Sequence, residues 1–355
     1  MEEKFLKSLI DNGFDFLGRA IQQFKTEPKY SVINFCAAIE ILLKARLMHE
    51  HWSLVIATKG HPDIGKFKKG DFKSINFNEL IPRIESVTGE KVPSDVTLCF
   101  KGLANHRNKM VHFFHEAHTD ARKEELLEEI AVEQSSCWFF LRRLLEGWEN
   151  IFGEYADKIN LINASMKEHD IYLDTVFSRI SPEINQDKER GVIFINCKRC
   201  KKEASEQFQK TNHIFESKCR VCLLNNRFLK VPCNKDNCSG SIKIEEGDTL
   251  FYCETCDETM EHSEISEKLE TNGPVTPDDY HCHVQTNCAL CCELDSVVEN
   301  DNSYYICTNC FYFTQNDIGQ CGWCSENQIG GGDLDGSTWS GCEFCDGQAG
   351  HMKDD

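Results

Sequence analysis

The first half of the chain carries apolar residues at helical spacing. They recur every three or four residues from the N-terminus to about residue 179, which is the pattern of helices that bury one face. The strongest stripes begin at Phe5 and Val32, and Pro28 stands just before the second, where proline favours a helix start. Five or six helices of this kind predict an all-α bundle. Shorter patterns predict helices over residues 77–87, 94–115, 124–148 and 151–179, and a loop over residues 61–78.

The second half changes to short β-rich runs that lie beside paired cysteines. Two cysteine pairs joined by a hairpin are typical of a zinc ribbon. The predicted architecture is therefore a helical domain over residues 1–180, followed by an array of small zinc-ribbon modules. A polar run, SPEINQDKERG, indicates a linker at 181–192. Two ribbons are predicted over 193–260, an acidic linker over 261–280, and two further acidic ribbons over 281–355.

Cysteine usage decides the chemistry of this array. Of the 355 residues 21 are cysteine, and eighteen of these lie between residues 197 and 345. No apolar run reaches the ~18 residues of a membrane span, and the N-terminal segment carries acids, unlike a signal peptide. We therefore expect a cytoplasmic protein, with no membrane partner, in which cysteine pairs bind metal rather than form disulfides.

Four sets of four thiolates predict about four structural Zn²⁺ ions per chain. No catalytic metal is expected, because an all-thiolate site leaves no open position. The third set is not fixed by the sequence, since His281, Cys282, His283 and Cys292 lie close enough to replace a member. The predicted ligands are Cys197, Cys200, Cys219, Cys222, Cys233, Cys238, Cys253, Cys256, Cys288, Cys291, Cys307, Cys310, Cys321, Cys324, Cys342 and Cys345.

Charge also divides the chain, whose formal net charge is −19. Residues 191–244 carry 11 − 4 = +7, and residues 245–355 carry 2 − 24 = −22. The basic first ribbon either binds a phosphate backbone or presents solvated charge. The acidic remainder repels nucleic acid and suits a basic protein partner or trigger, or the basic patch of its own chain. The cations beside the first ribbon are Lys198, Arg199, Lys201, Lys202, Arg220 and Arg227.

One short motif in the helical half fits RNA cleavage. The run NHRNKMVHFFH contains Arg107, Asn108 and, four residues after Asn108, His112. A second Arg-x4-His match starts at Arg46, but no asparagine follows it. Requiring that asparagine lowers the number of chance matches from roughly 0.4 to roughly 0.02. Histidine suits proton transfer near neutral pH, and arginine suits a phosphate. Asn108 shares a helix face with His112 and is placed to orient its imidazole.

A helical bundle with Arg-Asn-x-x-x-His late in a helix resembles the HEPN family (higher eukaryotes and prokaryotes nucleotide-binding). The stretch FCAAIEILLKARL (35–47) also resembles the second helix of HEPN domains in bacterial phage-defence and toxin–antitoxin proteins. The resemblance covers about residues 1–150. It implies a dimeric, metal-independent endoribonuclease in which Arg107, Asn108 and His112 from two protomers face one cleft. Glu40 lies where an acidic residue recurs in the family, and an ordinary surface charge is its alternative role.

Two functions from different classes are compatible with these features. The first is a HEPN ribonuclease with a zinc-ribbon sensor or regulatory array, in which RNA is the substrate and the helical domain forms the homodimer. Anti-phage defence is implied by the family resemblance. The alternative is a non-catalytic dimeric adaptor whose ribbons bind nucleic acid or protein. RNA cleavage that depends on His112 discriminates between them.

Overall fold

The computed structural model describes residues 2–57, 61–112, 123–269 and 284–351. The chain divides into two compact units, Met1–Gln186 and Asp187–Asp355. No helix among the described residues is long and apolar enough to span a membrane.

The first unit is helical, as predicted. Its buried side chains include Leu17, Phe35, Leu42, Phe100 and Trp138, all fully excluded from solvent. They come from the apolar stripes of four different helices, so one core holds the unit together. The helices within the described residues are α1 (Glu2–Gln22), α2 (Pro28–Glu50), α3 (Ile64–Lys69), α4 (Phe77–Thr88), α5 (Ser94–His112), α6 (Lys123–Gly147), α7 (Glu149–Phe152), α8 (Ala156–Met166) and α9 (Asp170–Glu189).

Helix α3 corrects the prediction of a continuous loop over residues 61–78. Asp63 caps this helix by accepting hydrogen bonds from the backbone N–H groups of Gly65 and Lys66. Gly70 ends it in the left-handed conformation, at φ 72°. Phe67 is buried, while the lysines around it are exposed. One buried side chain does not make a periodic apolar pattern, so this helix could not be predicted from the sequence.

Helix α9 corrects the predicted linker at 181–192. The helix continues through Pro182 to Glu189. Proline removes one backbone hydrogen bond, but the buried stripe formed by Val176, Ile180 and Ile184 runs on past it. Burial of this stripe outweighs the polar composition that indicated a linker.

The second unit is built from short strands. A five-stranded antiparallel sheet has the order β1-β2-β3-β4-β5, and β6 pairs with β7. Two three-stranded sheets have the orders β11-β10-β9 and β12-β13-β8, and in the latter β13 pairs with β8 in parallel. The strands are β1 (Phe194–Asn196), β2 (Glu203–Gln209), β3 (Ile214–Cys219), β4 (Asn225–Pro232), β5 (Ser241–Ile244), β6 (Phe251–Tyr252), β7 (Thr259–Met260), β8 (Thr286–Cys288), β9 (Val297–Asn300), β10 (Tyr304–Cys307), β11 (Phe313–Gln315), β12 (Gly319–Gln320) and β13 (Asn327–Ile329).

The predicted modules of the second unit share one core. Leu229 and Ile242 of the five-stranded sheet are buried with Phe251 of the β6–β7 hairpin and with Ile306 of the next sheet. The segment predicted as an acidic linker at 261–280 contributes α10 (His262–Leu269), whose Ile265 belongs to the same core. Part of that prediction is therefore wrong, and residues 270–280 lie outside the described residues. Two short helices, α11 (Ser337–Ser340) and α12 (Gly347–His351), complete the unit.

Candidate metal centres and candidate catalytic motif

Sixteen cysteines form four clusters, with the membership predicted from the sequence. Within each cluster the four sulfurs lie within 4.8 Å of one another. A tetrahedral ion with metal–sulfur bonds of about 2.3 Å requires sulfurs about 3.8 Å apart. The closest sulfur pairs are separated by 3.5 Å, between Cys197 and Cys222, to 3.8 Å, between Cys324 and Cys342. The four clusters therefore have the dimensions of closed four-thiolate metal sites.

Most of the Cys-x-x-Cys turns share one backbone geometry. The residue after the second cysteine is left-handed, as at Leu223, where φ is 61°. Its backbone N–H donates to the carbonyl of the first cysteine, and Leu223 donates to Cys219 in this way at 3.0 Å. The turn directs both sulfurs towards one point. The same φ and hydrogen bond occur at Lys201, Asp257, Phe311 and Ser325.

This geometry excludes Cys292 from the third cluster. Cys292 directly follows the second cysteine of its turn, Cys291, and has the same left-handed φ, 58°. Its side chain is exposed, and its sulfur contacts the carbonyl of Ala289 at 3.8 Å. The cluster consists of the predicted residues, which settles the alternative at Cys292. His281, Cys282 and His283 lie outside the described residues.

Backbone N–H groups surround the sulfurs and favour the thiolate, which is the metal-binding form. The N–H of Cys222 donates to the sulfur of Cys219 at 3.4 Å, and Trp323 donates to Cys321 at the same distance. A hydrogen bond from the backbone of Thr255 lowers the pKa of Cys253 to about 7. Each cluster contains one cysteine whose pKa is lowered in this way, whereas the pKa of other cysteines in the clusters is raised, as at Cys200, where burial raises it to about 11.

Three cations of the predicted basic patch on the first ribbon bind partners within the second unit. Lys198 pairs with Glu245 at 2.9 Å, and Arg220 pairs with both Asp187 and Glu206 at 2.6 Å. Arg227 donates to the carbonyl of Phe313 at 2.6 Å and lies over its ring. Arg199 and Lys201 are exposed. These contacts leave a smaller cationic surface than the sequence alone indicates.

Arg107 lies on α5 with its half-buried side chain turned towards α2. Its charge lowers the pKa of the Cys36 thiol, whereas the charges of Glu133 and Glu40 raise it. Burial raises the pKa of Cys36 to about 12. The Nε atom of Arg107 is buried and has no hydrogen-bond partner among the described residues. The structure therefore brings two predicted site residues, Arg107 and Glu40, into one neighbourhood.

The other predicted site residues lie on the same two helices. Asn108 is exposed on α5, directly after Arg107. Glu40 pairs with Lys44 at 2.6 Å, and Lys44 also donates to the hydroxyl of Ser74 at 2.9 Å. His112 is the last residue of α5, and its side chain lies outside the described residues.

A histidine–carboxylate pair that the sequence did not indicate lies beside this motif. Nε2 of His106 lies 3.1 Å from a carboxylate oxygen of Glu133 on α6. The carboxylate occupies the space beside Gly102, where a Cβ atom would lie 1.9 Å from it. His106 and Glu133 line an open groove of about 730 Å³ along α5 and α6. Glycine in the middle of a helix, which costs about 1 kcal/mol relative to alanine, is the sequence signal for this close approach.

The second Arg-x4-His match is an internal ion pair. The side chain of Arg46 is 5% exposed and bonds to Glu50 at 2.6 Å and to Glu90 at 2.9 Å. Trp148 donates to the same Glu90 carboxylate at 2.7 Å. Arg46 is therefore held by the fold and has no open side towards a ligand.

Comparison with protein-family models, with curated proteins and with solved structures finds no match for this chain. Its function is therefore inferred from its own residues.

Proposed function

We propose that the chain is a metal-independent, HEPN-like endoribonuclease whose second unit is a structural zinc array. The observation that supports this proposal most strongly is the position of Arg107. It is half-buried on the helix that carries Asn108 and ends at His112, and its charge acts on the same thiol, Cys36, as the charge of Glu40. The terminal nitrogens of an arginine in this position are suited to bind a phosphate oxygen.

The proposed reaction uses the nucleophile that RNA itself contains. The 2′-oxygen attacks the neighbouring phosphorus, the bond to the 5′-oxygen breaks, and a 2′,3′-cyclic phosphate and a 5′-hydroxyl result. Arg107 stabilises charge on the phosphate. His112 takes the proton from the 2′-hydroxyl or gives one to the leaving oxygen, and Asn108 orients its ring. Glu40 positions these groups from α2.

The metal of the four clusters is proposed to be Zn²⁺ with a structural role. Zinc prefers four tetrahedral thiolates, and such a site has no position for water or substrate. When bound, it cross-links short strands that could not fold alone. The chain supplies the closed thiolate sets and the turns that aim them.

A homodimer through the helical unit is part of the proposal, because one Arg–His pair per chain is a sparse site. Leu98 on α5 and Val132 on α6 support it, since both line the groove beside His106 and are 69% and 43% exposed. A second copy would remove this apolar surface from water. Light scattering measures the mass directly, and a monomer that still cleaves RNA would exclude the shared cleft.

The test is cleavage of a labelled RNA by the purified protein in EDTA, kept brief so that the zinc array stays folded. His112→Ala and Arg107→Ala should each lower the rate by about 10²–10⁴-fold. Lys109→Ala is the matched control, because Lys109 is exposed on the same helix and its loss removes the same charge. Equal activity of the His112 variant and the wild type would exclude the proposal, as would cleavage of DNA that needs Mg²⁺.

A second candidate function is a non-catalytic adaptor that dimerises and binds a protein partner through the acidic ribbons. The observation that favours it is the shared core of the second unit, which makes a rigid platform rather than a flexible string of modules. Intact RNA after long incubation with the wild-type protein would select this function over the first.

A further inference from the structure

Two thiols of the helical unit lie against each other outside the metal clusters. Cys99 on α5 and Cys137 on α6 have their sulfurs 3.1 Å apart. Each sulfur also contacts a backbone carbonyl of the opposite helix. The sulfur of Cys137 lies 3.5 Å from the carbonyl oxygen of Cys99, and the sulfur of Cys99 lies 3.8 Å from the carbonyl oxygen of Glu133. These contacts hold the two side chains with their sulfurs facing each other.

Close packing of α5 against α6 makes this contact possible. Gly102 lies one turn after Cys99, and the carboxylate of Glu133, one turn before Cys137, occupies the place that a Cβ atom on Gly102 would need. Two cysteines can be bridged only where their Cα atoms lie within about 7 Å of each other. The glycine therefore permits the approach that a covalent bond between the two helices requires.

Solvent reaches the two thiols unequally. Cys99 is half-buried and lines the open groove along α5 and α6, whereas Cys137 is fully buried. Burial raises the pKa of Cys137 well above that of a free thiol, so this thiol keeps its proton. An accessible thiol beside a buried one is the arrangement of an attacking and a resolving cysteine.

The charge of the groove favours a neutral oxidant. Acids outnumber arginine among the residues that line it, which include Asp95, Glu128, Glu129, Glu133 and Arg179. An anionic disulfide such as oxidised glutathione is repelled by this surface, whereas hydrogen peroxide is neutral and little larger than water. Protein interfaces retain water, so a second copy lying over the groove would still admit hydrogen peroxide.

We propose that hydrogen peroxide converts Cys99 and Cys137 into an intramolecular disulfide that joins α5 to α6. The thiolate of Cys99 attacks one peroxide oxygen, the O–O bond breaks, and the hydroxide that leaves takes up the proton released by Cys99, giving water and a sulfenic acid. The sulfur of Cys137 then attacks the sulfur of Cys99, the S–O bond breaks, and the hydroxide leaves with the Cys137 proton as a second water. Two thiols are oxidised and one peroxide is reduced. This proposal does not depend on ribonuclease activity.

The test is peptide mapping of the full-length, zinc-loaded protein after treatment with a small molar excess of hydrogen peroxide. Remaining thiols are blocked with iodoacetamide during denaturation, and the protein is digested with trypsin without reduction. Trypsin places the two cysteines on separate peptides, residues 92–101 and 124–142, each with a single cysteine. Mass spectrometry should find these peptides joined, at a level at least tenfold above that of the untreated protein, and dithiothreitol should separate them.

Cys36 is an internal control in the same digest. Its peptide, residues 30–44, also has a single cysteine, and its buried sulfur contacts the carbonyl of Leu103 at 3.5 Å. This cysteine should be recovered as a blocked thiol. Joining of the Cys36 peptide to either of the other two peptides overturns the proposed pairing.

Two variants complete the test, with zinc content measured in each because thiolates of the clusters can also be oxidised. Cys137→Ser should abolish the joined peptides and leave Cys99 as a sulfenic acid, which dimedone labels. Cys292→Ser removes a thiol that is more exposed than Cys99, and it should leave the amount of joined peptides unchanged. Wild-type protein that keeps its zinc and shows both peptides as blocked thiols overturns the proposal.

Discussion

Arg46 and Arg107 share a sequence spacing to histidine, but their side chains have opposite surroundings. Arg46 lies on the buried side of α2, where two carboxylates and the Trp148 ring enclose it. Arg107 is half-buried on α5 and has no ion-pair partner among the described residues, while the Nε atoms of both arginines are buried without a hydrogen-bond partner. The spacing is equal, so it is the packing of each helix face that separates a buried, ion-paired arginine from a half-buried one.

Removing Arg46 should therefore destabilise the first unit more than removing Arg107. Arg46→Ala loses two charge-assisted hydrogen bonds and a ring contact, and we expect the free energy of unfolding to fall by about 2–4 kcal/mol. Arg107→Ala should lower the free energy of unfolding by less than about 1 kcal/mol, although it should slow cleavage by about 10²–10⁴-fold. Urea unfolding followed by circular dichroism at 222 nm measures both changes. Equal midpoints for the two variants would contradict this assignment.

Cys291 and Cys292 provide a test of the third cluster by adjacent substitution. Cys291→Ser removes a ligand, so the purified protein should lose one zinc ion per chain. Cys292→Ser alters only an exposed side chain in the left-handed position, and it should keep the full zinc content. Elemental analysis under reducing conditions measures the zinc content of the two variants. Loss of a zinc ion from Cys292→Ser, and not from Cys291→Ser, would mean that Cys292 is the ligand and that this turn differs from the others.

At the scale of single elements, periodicity predicted the long helices and missed what depends on context. Helix α4 was predicted over residues 77–87 and ends at Thr88, before Gly89 in the left-handed conformation. Helix α3 was not predicted, because Phe67 is its only buried side chain and one apolar residue gives no periodic pattern. The linker prediction for 181–192 weighted polar composition and Pro182 above the apolar stripe that continues to Ile184. The metal clusters followed from spacing, because seven of the eight cysteine pairs are Cys-x-x-Cys turns, complete within four residues, and the eighth, Cys233 with Cys238, spans six.

The left-handed position after each turn can be tested at Leu223. A β-branched residue is strained at positive φ, by about 1–2 kcal/mol, whereas glycine adopts it freely. Leu223→Val should therefore weaken metal retention at the first cluster by about tenfold, and Leu223→Gly should leave it unchanged or improve it. Competition with a coloured chelator measures retention in both variants. Equal behaviour of valine and glycine would show that this turn does not depend on the backbone geometry of position 223.

At the scale of the whole second unit, the ribbons do not fold as independent domains. The first two clusters are joined by the five-stranded sheet, the second and third share a buried core, and the β8–β13 pair joins the third and fourth. Sequence spacing could not show this, because the shared core gathers residues from distant segments, such as Leu229 and Ile306, into one buried cluster. For the same reason the acidic residues from 245 onwards cannot be deleted as a block. Such a deletion would expose Leu229 and Ile242 to water.

Because the core is shared, we expect that losing a metal ligand at its centre unfolds neighbouring ribbons, whereas losing one at the edge of the unit affects only its own cluster. Cys253 is fully buried within the core, so Cys253→Ser should release more than one zinc ion and lower the melting temperature of the whole β unit. Cys342 is half-buried in the fourth cluster, and Cys342→Ser should release a single ion. In both variants the helical signal of the first unit should persist, because that unit has a core of its own. Zinc stoichiometry combined with thermal unfolding distinguishes the cases. Loss of one ion from each variant would mean that metal binding, rather than the common core, stabilises each ribbon separately.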